Sequence, residues 1–340
     1  MAAKRPTKRK SVPVAAGAGS VASVAAPARL TWRERLPELH PRRFFLETWQ
    51  QIDEESARER AKLGPAGKHR EWSVILAFAM GAAFLTVMDN EYFGGRDAYN
   101  DFVPWLTHFA WFRDLAAPHF LTGGDASTDG GSLYEAIQAS RFYTLGGHAW
   151  WAIWRVIGYF LLPVLLIKVG FRALGLPTRL RDYGLETKGF SQHVWIYFTL
   201  FGIVLLAVIA VSYTHSFSHY YPFYKGAKRS WFDFFTWEVL YAAQFFSLEF
   251  FFRGFWLAAC RRAMGSYAIF AMIVPYCMIH FGKPMPEAFG AIIAGIALGT
   301  LAMKTRSIWS GFLIHVSVAI SMDVAALLQS AHLPRTFWPG

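Results

Sequence analysis

The chain is poor in cysteine and in charge. Only Cys260 and Cys277 occur in 340 residues, which excludes a disulfide framework of any size and a zinc module built on four thiolates. Charged residues make up 17% of the sequence, where an ordinary globular domain has about 25%. Acidic residues are the scarcer sign, 23 Asp+Glu against 34 Lys+Arg, for a net charge of +11. A basic nucleic-acid binder adds charge, whereas this chain is 54% hydrophobic with 31 Phe, 14 Trp and 14 Tyr. No nucleic-acid partner is expected, and the composition is that of a protein surrounded by a lipid bilayer. An unbroken Leu-rich core is also missing near the start. The apolar part from Val12 to Ala28 is interrupted by Pro13, Gly17, Gly19, Ser20 and Pro27, so it does not read as a cleavable secretory signal.

Residues 1–70 read as a basic, disordered cytoplasmic region that ends in a short surface helix. Its Lys4–Lys10 stretch suits anionic lipid, at about 1 kcal/mol per basic residue near such a surface, or serves as a solubilising tail. From Trp72 onward, apolar runs approach the roughly 20 residues that cross a hydrocarbon core of about 30 Å. Seven are expected, near 72–88, 147–168, 193–212, 234–259, 266–281, 288–303 and 307–328. Lipid leaves no partner for an open strand edge, so the runs must be helices. The fold class is therefore all-α, a polytopic membrane helical bundle of about seven transmembrane helices with a membrane-embedded cavity. Residues 71–144 hold the first span and a long extracytoplasmic loop, and residues 145–330 the remaining spans.

Lys and Arg near span ends set the orientation. Arg58 to Arg70, Lys168 to Arg181, Arg261 with Arg262, and Lys304 with Arg306 all fall on one side, which places the N-terminus in the cytoplasm. Lys225, Lys228 and Arg229 dissent. The 89–141 segment is acidic and broken by Gly94-Gly95, Gly123-Gly124 and Gly130-Gly131, and its FVPWLTHFAWF stretch suits a helix lying in the membrane interface. Gly290, Ala294, Gly295 and Gly299 put small residues along the sixth span, where they serve close helix packing.

Ionisable side chains inside a span are costly and by default mark a site facing the protein interior. Glu249 and Arg253 lie in QFFSLEFFFRGFW, His280 in VPYCMIHFGKP, and His315 and Asp323 in WSGFLIHVSVAISMDVAAL. At about 1.5 Å per residue from the basic side, Glu249 lies roughly 16 Å deep, His315 roughly 12 Å and His280 roughly 21 Å. One cavity near the bilayer centre accommodates all three. Glu249 and Arg253, four apart, share a helix face. Either they form a local ion pair that only neutralises two charges, or Arg253 orients Glu249 as a base towards a trapped water. His280 and His315 would orient that water or stabilise an oxyanion. Asp323, two turns beyond His315, is expected at the outer mouth of the cavity near His280. Glu287 reads as a solvated loop carboxylate, and Arg155 as a counter-charge or a misplaced span boundary. Two histidines and a carboxylate are also a ligand set for zinc, but no H-E-x-x-H occurs. No cofactor is expected.

These motifs resemble the CPBP family, the type II CAAX prenyl proteases and bacteriocin-processing or abortive-infection-like membrane proteins. The order matches: Glu-x-x-x-Arg-Gly (Glu249, Arg253, Gly254), aromatic-x-x-x-His (Tyr276, His280) and a late His (His315). The basic RLRDYGL loop, Arg179 to Leu185, is also similar. The resemblance covers about residues 145–330. It implies an intramembrane protease whose glutamate activates water for cleavage near the C-terminus of a membrane-associated protein or peptide. It also implies catalytic roles for Glu249, His280, His315 and Arg253, with Tyr276 as a supporting candidate; Asp323 is a second supporting candidate by its place in the span. Two positions depart from the family pattern, Leu248 where a second glutamate is usual and Ala319 where Asn or Asp is usual. They motivate the alternative of a catalytically impaired membrane protein that binds a peptide in the same cavity. A transporter is disfavoured, because no pair of broken helices repeats. The expected location is a bacterial inner membrane.

Overall fold

The computed structural model describes residues 36–121, 130–172, 178–330 and 332–339. The basic arm and its lipid contact, and Gly123-Gly124, lie outside the described residues. Contacts divide the chain into two units, Met1–Glu38 and Leu39–Gly340. In the first, the described residues open a 3-10 turn.

The second unit is a helical bundle, and no strand forms among the described residues; an isolated bridge joins Leu185 to Ser307. Its helices are α1 Thr48–Ala61, α2 Pro65–Val87, α3 Arg96–Thr107, α4 Ala110–Phe120, α5 Gly130–Ala139, α6 Tyr143–Phe171, α7 Lys188–Val211, α8 His215–Tyr220, α9 Trp231–Glu249, α10 Leu257–Met264, α11 Tyr267–Met278, α12 Met285–Thr305 and α13 Trp309–Gln329. Among the described residues, four segments are long and apolar enough to cross a membrane: α6, residues His193–Val211 of α7, α12 and α13. The other three expected spans are helical, but α11 is short, and α2 and α9 carry charge. The count of seven therefore rests on sequence alone. Outward-facing Leu161, Leu165, Val169, Ile203 and Leu206 give α6 and α7 the apolar outer faces that lipid requires.

Local sequence sets the helix ends. Pro65 opens α2 at its first turn, where the missing N–H is no loss. Ser230 caps α9, accepting from Asp233 N at 3.0 Å while its hydroxyl donates to the Asp233 carboxylate at 2.8 Å. After Glu249 the helix widens into a π-helical segment, Phe250–Trp256, before α10. Such widened turns recur at functional sites. The Tyr183 carbonyl approaches Gly254 so closely that a Cβ there would collide with it. Gly184 adopts φ +87° against Ile308 and accepts Ile308 N at 2.9 Å. The RLRDYGL loop is thereby pinned to the π segment and to the start of α13. Gly295 and Gly299 let α11 close on α12, meeting Ile273, Tyr276, Ile269 and Met272; Gly290 faces open space.

The 89–141 segment is not an open loop. Its helices α3 to α5 form a small core of Val103, Ala116, Leu133 and Ile137, because the apolar face of α3 needs a partner. Arg155 is the counter-charge to Asp89, at 3.3 Å, and donates to Tyr159 Oη at 3.0 Å; all three are buried. On the basic side, α1 is the expected surface helix. It is held by Asp53, which accepts from Ser266 N at 2.7 Å, by Trp49 on Thr300 at 2.9 Å, and by Glu59 with Arg261 at 2.9 Å.

Candidate active site

Four of the six expected residues meet directly. Glu249 ends α9, Arg253 lies one turn later in the π segment, Tyr276 is on α11 and His315 on α13. One carboxylate oxygen, Oε1, takes both partners: Arg253 at 3.1 Å and His315 Nδ1 at 2.6 Å. His315 Nε2 meets Tyr276 Oη at 3.0 Å, and the Arg253 guanidinium lies 4.0 Å from the centre of the Tyr276 ring, a cation-π contact. Phe245 stacks on the His315 ring at 5.1 Å. Glu249 is fully buried, and Phe250, Phe251 and Phe252 behind it are equally dry. In so apolar a setting an ionised carboxylate needs its paired cation.

The hydrogen bonds settle which atoms stay free. An ionised carboxylate only accepts, so His315 Nδ1 carries the proton towards Glu249, and Nε2 is engaged with the Tyr276 hydroxyl. Both of its ring nitrogens are engaged. His280 is one turn beyond Tyr276, with its ring 4.8 Å from the Tyr276 ring and Nδ1 2.9 Å from the Tyr276 carbonyl. A carbonyl also only accepts, so in neutral His280 it is Nε2 that keeps a lone pair. Glu249 Oε2 is buried and accepts no hydrogen bond among the described residues. It rests against Gly311 of α13, where a Cβ would overlap it. The uncommitted acceptors are thus Glu249 Oε2 and His280 Nε2. Among the described residues, no group of three or more His, Cys, Asp or Glu side chains is placed to hold a metal ion.

Among the described residues, Asp323 is not hydrogen-bonded to the Glu249 network. It accepts from Trp237 Nε1 at 2.8 Å and from Phe223 N at 2.9 Å, and no hydrogen bond or ion pair joins it to His280. Beside it, Lys283 pairs with Glu287 at 2.9 Å under the rings of Tyr220 and Phe223, and Tyr221 donates to Glu287 at 2.6 Å. Glu287 is therefore a bonded, half-buried helix residue, not a solvated loop carboxylate, because loop 220–225 folds over it. Glu238 also went unremarked in the sequence, although a carboxylate inside span 234–259 is the same signal that drew attention to Glu249. Gly311 gave no signal, since a glycine records nothing of the atom that approaches it. Leu248 and Ala319 are both buried in apolar clusters.

Membrane-length apolar helices around a buried Glu-Arg-His-Tyr network define an integral membrane protein of helical-bundle type. Residues 229–321 match the family model described as type II CAAX prenyl endopeptidase Rce1-like, so this part of the chain is similar to the CPBP membrane proteases. The match spans Glu249, Arg253, Tyr276, His280 and His315 and stops before Asp323. Comparison with curated proteins and with solved structures gives no match.

Proposed function

We propose that this protein is an intramembrane endopeptidase that hydrolyses a peptide bond near the C-terminus of a membrane-associated protein, with its N-terminus in the cytoplasm of a bacterial inner membrane. The observation that carries this reading is the divided carboxylate of Glu249: Oε1 is committed to Arg253 and His315, while buried Oε2 has no partner. In this mechanism Oε2 takes a proton from water, helped by the lone pair on His280 Nε2. The water oxygen bonds to the scissile carbonyl carbon, and the carbonyl electrons move onto its oxygen. Collapse of that intermediate breaks the C–N bond, and the proton passes from Glu249 to the leaving amine. Arg253, His315 and Tyr276 hold the carboxylate in place. No cofactor is invoked.

Leu248 and Ala319 favour a second reading, a peptide-binding protein without turnover. Each is apolar and packed where the family usually has a polar group. One comparison separates the two: C-termini of the membrane proteome with the parent, Glu249→Gln and Leu248→Glu. Under the first reading Glu249→Gln abolishes parent-dependent mature C-termini, a loss of about 10²–10⁴-fold in rate. Unchanged processing by Glu249→Gln refutes Glu249 as the base, and processing seen only with Leu248→Glu establishes the second reading.

A further inference from the structure

The α3–α4 pair carries a row of rings that the catalytic half does not use. Phe102, Trp105, Phe109, Trp111 and Phe112 follow one another with centroids 4.7–6.4 Å apart. While Val103 and Ala116 face the local core, Trp105 is 54% exposed, Trp111 59% and Leu115 63%. Large apolar side chains so exposed on one face mark a surface that is covered in use.

What covers it follows from where α3 is attached. The α6 helix has 29 residues, about 43 Å at 1.5 Å per residue, against a hydrocarbon core of about 30 Å. Its basic end is marked by Lys168, exposed and bonded to the Thr178 carbonyl at 2.9 Å. About 20 residues back from Lys168 lies His148, so Trp150, Trp151 and Trp154 sit at the opposite membrane boundary, the level at which tryptophan concentrates. The α3 helix is fastened at that level. Phe102 packs on Trp150 at 4.6 Å, Tyr99 packs on the same Trp150 ring at 6.2 Å, and Trp150 Nε1 donates to the Phe93 carbonyl at 2.8 Å. The exposed row is thus continuous with the aromatic belt of a membrane-crossing helix.

We propose that α3–α4 is an in-plane anchor whose Trp105, Trp111 and Leu115 insert into the acyl-headgroup boundary of the leaflet opposite the basic span ends. Asp101 and Asp114, exposed on the same helix faces, lie among the headgroups, while Glu135 and Gln138, exposed on the α5 face turned away from the shared core, face water. The anchor sets the height of α6 through Trp150, independently of any catalytic activity.

The test uses the full chain in phospholipid nanodiscs, in a Cys277→Ser background. Nitroxide labels at Trp105→Cys and Leu115→Cys should be open to oxygen and shielded from a water-soluble nickel chelate. Labels at Glu135→Cys and Gln138→Cys should show the reverse, with accessibility ratios several-fold apart. The unsubstituted protein, irradiated with a lipid carrying a diazirine near the head of its acyl chain, should be labelled within residues 102–115. Equal nickel accessibility at all four sites, absence of lipid label in 102–115, or spin-spin broadening from a second copy at Trp105 and Leu115 overturns the proposal.

Discussion

Replacing Arg253 with methionine tests the central network most directly. Arg253 and Glu249 both have fully buried side chains and meet at 3.1 Å. Methionine keeps the apolar length of the side chain and removes the charge, so the variant leaves Glu249 hydrogen-bonded to His315 but without its paired cation in an apolar site. Breaking a buried pair from one side costs about 3–5 kcal/mol. At about 2–4 °C per kcal/mol, the midpoint should fall by about 6–20 °C. Cys260, free and buried on α10, reports unfolding through reaction with a fluorogenic maleimide in a Cys277→Ser background. The double variant Arg253→Met with Glu249→Gln removes both charges and should recover most of the loss, because the cost lies in the uncompensated carboxylate. A fall of under 2 °C for Arg253→Met, or a double variant no better than the single one, would refute the claim that the two charges sustain each other.

Gly311→Ala places a methyl where Glu249 Oε2 lies; the overpacking should cost about 1–3 kcal/mol, read by the same thermal assay, and Glu249→Gln should not relieve it, because the amide is as large as the carboxylate. Tyr276→Phe removes the hydroxyl 3.0 Å from His315 Nε2 but keeps the ring under Arg253; turnover should fall while KM holds, and equal losses in both would show that Tyr276 serves binding. Asp53→Ala removes the acceptor for Ser266 N and Oγ and should raise tryptic cleavage at exposed Lys62. High salt alone should act in the same direction, since the pairs of Arg261 with Glu55 and Glu59 are open to screening. Cleavage that ignores both changes would show that α1 is held by Trp49 and apolar packing.

Much of this protein was legible before any fold was drawn. Helical architecture follows because lipid offers no partner to the backbone, and the buried carboxylate announces itself because a charge in an apolar run is costly. The pairing of Glu249 with Arg253 is equally local, a matter of helical spacing. Three-dimensional packing was needed wherever distant segments meet. It gave Asp323 its partners in Trp237 and Phe223, turned α3 to α5 into a helical unit fastened to Trp150, and closed the chain around Tyr221 over Glu287. It also selected the free atoms. His315 has both nitrogens engaged and His280 retains one, although in sequence the two are equivalent histidines. Periodicity and charge act along one helix and can be read from spacing. Which oxygen of Glu249 is committed depends on α13 meeting the π segment, where a glycine without a side chain admits that oxygen.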